Sequence, residues 1–160
     1  MQIRHATPAD HAAIWRIIGP VIHAGETYAL PRDMSETDAL RYWTGPDRET
    51  FVAINAGETV GTYYLRANQA GGGDHVANCG YMTAAEATGR GVARAMCEHS
   101  LRRARERGFR AMQFNFVVST NTRAVRLWSH LGFEIVGRLP AAFRHPREGF
   151  VDALTMFRAL

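Results

Sequence analysis

The sequence predicts an α/β (α+β) fold for a single domain over residues 1–160, with a mixed, mostly antiparallel central sheet flanked by helices. Three observations predict it. Strand-like and helix-like apolar patterns follow one another in the order β-α-α-β-β-β-α-β-α-β-β. A chain of 160 residues can bury one adequate core, and no repeat, linker or low-complexity stretch divides it. In the second half, two helices open on segments that expose backbone N–H groups, one glycine-bearing at Gly89 and Gly91 and one starting at Asn121.

Gln2 to Ala6 reads as a short strand. Thr7-Pro8-Ala9-Asp10 supplies an N-cap with Pro at the first helical position, opening a helix to about His23 whose apolar stripe is Ile14, Ile17, Ile18, Val21 and Ile22. Ser35-Glu36-Thr37-Asp38 starts a shorter helix that ends near Trp43, with Gly45-Pro46 as its stop. Phe51 to Asn55 and Val60 to Arg66 are strands joined by a tight Ala56-Gly57-Glu58 connection. After the glycine-rich loop at 70–74 comes a strand over His75 to Thr83, then the glycine turn and a helix from about Gly91 to Arg107. Ala111 to Val118 is a strand, Asn121 to Leu131 a helix, and Phe133 to Leu139 and Val151 to Arg158 are the terminal strands.

A hydrophobic content of 46% with 21% charged residues is ordinary for a globular protein in water. No apolar stretch approaches the ~20 residues that a membrane span needs, and Met1-Gln2-Ile3-Arg4-His5 does not read as a signal peptide, so no membrane partner and a cytoplasmic location are expected. Cys79 and Cys97 are too few for a disulfide framework and lack the spacing of a metal site. No metal is expected. All 19 basic residues are Arg. The absence of Lys excludes Schiff-base and pyridoxal-phosphate chemistry, as well as a P-loop. The net charge of +4 is dispersed, and its densest run, Arg102 to Arg107, reads as the exposed end of a helix. Nucleic acid is therefore not expected as a partner.

The sharpest local signal is the pair of helix openings. Glycines at a helix N-terminus let a diphosphate approach backbone N–H groups that have no intrahelical acceptor. Glu86-Ala87-Thr88-Gly89-Arg90-Gly91 is followed about 30 residues later by Asn121, Ala124, Leu127, Trp128, Gly132 and Phe133. This pair resembles motifs A and B of the GNAT N-acetyltransferases, and the resemblance runs from Ile3-Arg4-His5-Ala6 to the terminal strand. It implies acetyl-CoA as cosubstrate and a sheet splayed between the strands at about 75–83 and 111–118. It also implies a cofactor site of Gly80, Tyr81 and Met82 for pantetheine, Gly89, Arg90, Gly91, Val92 and Ala93 for the diphosphate, and Asn121 and Trp128 beside them. Arg90 and Arg94 can add charge there. Glu86 stands where the family usually has Gln or Arg, Thr88 where Arg or Lys is common, and Trp128 where many members have the Tyr that protonates the departing thiolate. An indole N–H has no useful acidity, so Trp128 can wall the channel or donate a hydrogen bond and nothing more.

Asn78 and Asn115 stand mid-strand among apolar residues, where Asn is disfavoured and costly to bury unpaired. They are read either as bulge residues or as catalytic and acceptor-binding groups. Asn121 is read either as a plain helix N-cap or as a cap that also contacts the cofactor. His75 to Tyr81, Phe114 to Thr122 and Val151 to Leu154 resemble the azetidine-2-carboxylate (proline-analogue) acetyltransferases, which implies that Asn78, Asn115 and Asn121 bind the amino-acid acceptor or hold a water that takes its proton. Ala24 to Leu30 is similar to the phosphinothricin and methionine-sulfoximine group, which brings Glu26 and Thr27 to the acceptor, Glu26 as a base, an amine ligand or merely a surface acid. Arg144-His145-Pro146-Arg147 either contacts an acceptor carboxylate or caps a loop. The expected function is N-acetylation of a small-molecule amine, an amino acid or its analogue, by direct transfer in a ternary complex. The alternatives are a protein or peptide N-acetyltransferase and a non-catalytic CoA sensor. A homodimer is expected by analogy with the family.

Overall fold

The computed structural model describes residues 1–160. Chain order gives β1 (Gln2–His5), α1 (His11–Ala24), α2 (Glu36–Trp43), β2 (Glu49–Asn55), β3 (Glu58–Ala67), β4 (Val76–Thr83), α3 (Val92–Glu106), β5 (Ala111–Val118), α4 (Thr122–His130), β6 (Glu134–His145) and β7 (Gly149–Ala159). The strands form one seven-stranded sheet in the order β1-β2-β3-β4-β5-β7-β6. Every pairing is antiparallel except β4 with β5. This is the mixed, mostly antiparallel architecture that the sequence pattern predicts.

Local chemistry explains where the helices begin. The Asp10 carboxylate accepts the Thr7 backbone N–H at 2.7 Å and the Thr7 hydroxyl at 3.1 Å, and two N–H groups of Arg4 at 2.8 and 2.9 Å. Those donors hold the Asp10 carboxyl far below the usual carboxylate range, Arg4 contributing most. A short 3-10 turn over Pro8–Asp10 precedes α1, which stops at Gly25 in the left-handed region, φ 66°. Ser35 caps α2 by accepting the Asp38 N–H at 3.1 Å.

α1 buries Ile14, Ile17, Ile18 and Ile22, each worth roughly 1.5–3 kcal/mol if fully removed from water. Trp43 at the end of α2 is fully buried and donates its indole N–H to the Thr62 hydroxyl at 2.9 Å, while that hydroxyl donates to the Phe51 carbonyl at 2.8 Å. This chain of bonds pins α2 to the β2–β3 face, and the same face carries Tyr64. α3 covers the opposite face, where the Tyr81 hydroxyl lies 2.7 Å from Ser100 Oγ and Tyr63 packs beside His99.

The central feature is how little of β4 touches β5. Their parallel ladder contains only Val76 opposite Ala111 and Ala77 opposite Met112, after which the strands diverge. β5 meanwhile stays paired with β7 as far as Val118 opposite Ala153. The result is a wedge open toward the glycine turn after β4 and the start of α4 after β5.

The C-terminal strands are longer than their patterns suggest. β6 runs to His145 and β7 begins at Gly149, so the stretch expected as a loop around residues 140–150 is instead a continuous hairpin with its tip at 146–148. A register shift between Leu139 and Phe143, with Ala141 at φ 49°, interrupts the alternation that would have marked a strand. The Asp152 carboxylate substitutes for the lost ladder partner by accepting the Ala141 N–H at 2.9 Å and pairing with Arg138 at 2.9 Å.

Candidate active site

A cleft of about 640 Å³ occupies the wedge and continues across the α2 face of β3. Its lining includes three charged residues, Arg66, Arg94 and Arg123, and no Asp or Glu. The field in the cleft is therefore positive from both ends.

The open end is built from backbone. Gly89 and Gly91 sit at φ 82° and 79°, a region that a Cβ disfavours, and Gly91 is the N-cap of α3. The N–H groups of Val92, Ala93 and Arg94 in the first turn have no intrahelical acceptor. Gly89, Gly91, Val92, Ala93 and Arg94 all line the cleft, whereas Arg90 does not. Arg123, from the first turn of α4, reaches over the turn so closely that a Cβ on Gly89 would lie 3.9 Å from its guanidinium. Asn121 caps α4, its Oδ1 accepting the Ala124 N–H at 3.3 Å, and also lines the cleft. Trp128 is 8% exposed and packs against Tyr81 and Phe114 at centroid distances of 5.1 and 5.2 Å, walling the channel.

Between the ends lies the free edge of β4. Hydrogen bonds from Ala84 N to Val60 O and from Asn68 N to Val76 O fix the parity of the β3–β4 ladder. That parity turns Gly80 and Met82 toward β3 and leaves Cys79, Tyr81 and Thr83 to direct their N–H and C=O groups into the wedge. Of the three residues expected to offer backbone to pantetheine, Tyr81 alone faces the open edge. Its N–H donates to the Tyr28 hydroxyl at 2.8 Å, and that hydroxyl donates back to the Tyr81 carbonyl at 2.9 Å. Burial raises the Tyr28 pKa, so it remains a neutral phenol. Gly80 serves a packing need, since a Cβ there would lie 2.7 Å from the Tyr64 ring.

The inner end is built from side chains. Asn78 is buried, donates from Nδ2 to the Gln113 carbonyl at 2.9 Å where the strands begin to part, and takes no donor from the protein at Oδ1. It ties the vertex of the wedge. Asn115 is exposed and belongs to a bulge, with Asn115 and Phe116 facing Thr155 alone. Its amide bridges Gln113 at 2.9 Å and Asn68 at 2.6 Å. The structure thus brings Asn78, Asn115, Asn121, Thr27, Gly80, Tyr81, Met82 and Trp128 onto one cleft.

Glu26 is not among the lining residues: its carboxylate pairs with Arg147 at 2.6 Å, across to the tip of the β6–β7 hairpin. Arg144 stacks on Phe150 at 5.5 Å. Neither cation of the Arg144–Arg147 segment lines the cleft. Tyr28, Arg66 and Arg123 are site residues that the sequence pattern did not single out. Cys79 and Cys97 are free, and burial drives both thiols upward, Cys97 to about 12, so neither is a ready thiolate.

Comparison with known proteins agrees with this geometry. Residues 20–133 match the model of the acetyltransferase (GNAT) family. A GCN5-related N-acetyltransferase from Kribbella flavida is 44% identical and superimposes with a TM-score of 0.94, covering 99% of this chain and 97% of its own. A GNAT superfamily phosphinothricin acetyltransferase from Sinorhizobium meliloti, solved with AcCoA, is 25% identical with a TM-score of 0.87, covering 99% of this chain and 88% of its own. The N-acetyltransferase aca1 of Schizosaccharomyces pombe is 27% identical over 149 residues, 82% of this chain and 71% of that protein.

Proposed function

This chain belongs to the acetyltransferase (GNAT) family and is an N-acetyltransferase, and from that premise we propose that it acetylates the amine of a small amino acid or amino-acid analogue with acetyl-CoA. The observation that carries this reading is the single cleft with a phosphate-suited backbone turn at one end and a polar, acid-free enclosure at the other. The α3 N-terminus, Arg94 and Arg123 fit a diphosphate in charge and in hydrogen-bond donors. Acetyl-CoA, so held, supplies an activated acetyl thioester.

The rest of the chemistry falls to this chain's own groups. N–H groups on the free edge of β4 other than that of Tyr81, which the Tyr28 hydroxyl holds, are the candidates to polarise a carbonyl. The amine nitrogen forms its bond to the acetyl carbon as the carbon–sulfur bond breaks, and CoA leaves as a thiolate that takes its proton from solvent or from the attacking ammonium. The cleft carries no carboxylate, and an amide is no base. Asn78 Oδ1 and the Asn115 network are placed instead to orient the amine or a water that accepts its proton. Rate enhancement then rests mainly on proximity. The raised thiols of Cys79 and Cys97 speak against an acyl-enzyme, in favour of a ternary complex.

The Thr27–Leu30 loop walls the inner end, and the Arg147–Glu26 pair holds the neighbouring hairpin tip over that loop. This enclosure favours a small acceptor over a protein segment. The test is thiol release from acetyl-CoA against azetidine-2-carboxylate, proline analogues, phosphinothricin, methionine sulfoximine, standard amino acids, polyamines and short peptides. Release with free amino acids or their analogues supports the reading. Release with peptides alone would move the acceptor to protein, and silence across the panel with acetyl-CoA bound would leave a CoA sensor.

A further inference from the structure

We propose that Arg66 is the acceptor's anion anchor, so that this cleft selects amines that also carry a carboxylate. The proposal deepens the reading above and rests on it. Two buried side-chain polar atoms in the protein lack a hydrogen-bond partner, Arg48 Nη1 and Arg66 Nε, on two guanidinium groups that share Asp47 and the ring of Tyr64. Buried polar groups in folded proteins are nearly always paired, so two unpaired guanidinium nitrogens show that this cluster holds more donors than acceptors, and the exposed part of Arg66 is where an acceptor can be added.

Charge counting points the same way. Asp47 is the only carboxylate in contact with either arginine, and Arg48 holds it with two bonds of 2.8 and 3.0 Å. Arg66 Nη1 reaches the same carboxylate only at 3.6 Å, beyond hydrogen-bonding distance. Two guanidinium groups therefore share one acid, which leaves one positive charge over. Arg48 is 7% exposed at the side chain and is held over the rings of Tyr42 and Tyr64 at 5.1 and 4.8 Å, whereas Arg66, 5.9 Å from the Tyr64 ring, is 29% exposed and lines the cleft. Arg48 and Asp47 form the fixed base of the cluster, and Arg66 is the member that a ligand can reach.

Position supplies the specificity. Arg66 lies directly opposite Asn78 in the β3–β4 register, so the two side chains share a face of the sheet. From Asn78 to Thr83, next to the glycine turn, β4 advances about 17 Å at ~3.3 Å per residue. Arg66 is therefore far from the phosphate-suited turn and close to the asparagines. A planar carboxylate suits a guanidinium fork better than a point charge does. With the acid held by Arg66, the amine of the same molecule is left beside Asn78 and the free edge of β4. A neutral carboxamide would leave the excess charge unpaired, and a polyamine would meet repulsion.

The experiment is calorimetric titration, with CoA present, of paired probes: azetidine-2-carboxylate, proline and methionine sulfoximine, each as free acid and as carboxamide. The wild-type protein is expected to bind an acid about 10- to 100-fold more tightly than its carboxamide, the range expected for a charge-assisted hydrogen bond. Arg66→Gln should abolish that preference and Arg66→Lys should retain part of it, both with unchanged CoA affinity and unfolding midpoint. Equal binding of acids and carboxamides by the wild type, no binding of any probe, or an undiminished preference in Arg66→Gln overturns the anchor. Thiol release from acetyl-CoA, followed in parallel, separates the two readings. An acid preference that Arg66→Gln removes, in a protein that releases no thiol, supports the anchor and refutes amino-acid acetylation.

Discussion

The two ends of the cleft are made of different material. At the open end the working groups are main-chain N–H donors of Gly89 and of Gly91 to Arg94, presented by a turn that only glycine accommodates easily. At the inner end they are side chains from separate elements: Tyr28 after α1, Tyr42 from α2, Tyr64 and Arg66 from β3, Asn78 from β4 and Asn115 from β5. A backbone site can hold the same phosphates while its side chains drift, whereas a site of side chains can be retuned to a new acceptor one residue at a time. The contrast accounts for how this fold keeps one cosubstrate and changes its substrates.

That comparison can be broken at either end. The largest effect is expected from Gly89→Val combined with Gly91→Val. Each valine in the left-handed region costs roughly 1–2 kcal/mol, so together they should weaken acetyl-CoA binding by about 100-fold if the strain turns the N–H groups away. Calorimetry with acetyl-CoA checks this, and unchanged affinity would show that the turn does not hold the cosubstrate. Next is Asn78→Ala, which removes the tie to the Gln113 carbonyl at the vertex. Turnover should fall about tenfold or more, in line with the ~1–3 kcal/mol cost of an unpaired buried group, with acetyl-CoA affinity intact. Asn115→Ala should act in the same direction but less, because its amide is exposed. If both variants kept full turnover, the asparagine site would be wrong.

The smallest effect is expected from Glu26→Gln. In the Glu26–Arg147 pair the arginine is largely exposed and the glutamate partly so, and such surface pairs contribute about 0–1 kcal/mol. Rate constants should stay within about twofold, with an unchanged pH profile of kcat/KM. A general base at Glu26 would instead cost about 100- to 10,000-fold and remove the acidic limb of that profile.

The same division sets how much could be read from the sequence. Element order, the Thr7 and Ser35 starts and the glycine turn depend on neighbours within a few residues, so their patterns are legible directly. The wedge between β4 and β5 follows from family resemblance, not from periodicity, because strand divergence leaves no mark on alternation. The extension of β6 through residues 140–145 is hidden by Pro140 and the bulge at Ala141, where Asp152 stands in for a ladder partner. Asn115 joins two explanations that its pattern left as alternatives, since it lies in a bulge and also on the cleft.

The inner end is the least legible part. Nothing around Tyr28 announces that its hydroxyl will meet the backbone of Tyr81, 53 residues away. Arg66 is one of 19 arginines, and in sequence it looks like the polar end of a strand. Its significance comes from sharing Asp47 with Arg48, a fact of tertiary packing. Glu26 shows the converse, where a motif-like neighbourhood draws attention to a carboxylate that packing directs to Arg147.

The most direct measurement is a crystal structure of the protein with CoA and an amino-acid acceptor bound together. The account predicts the diphosphate on the N–H groups of the first turn of α3, the sulfur in the wedge beside β4, the acceptor amine next to Asn78 and its carboxylate on Arg66. An acceptor bound outside the wedge, or with its carboxylate on Arg144 or Arg147 and its amine on Glu26, would contradict it.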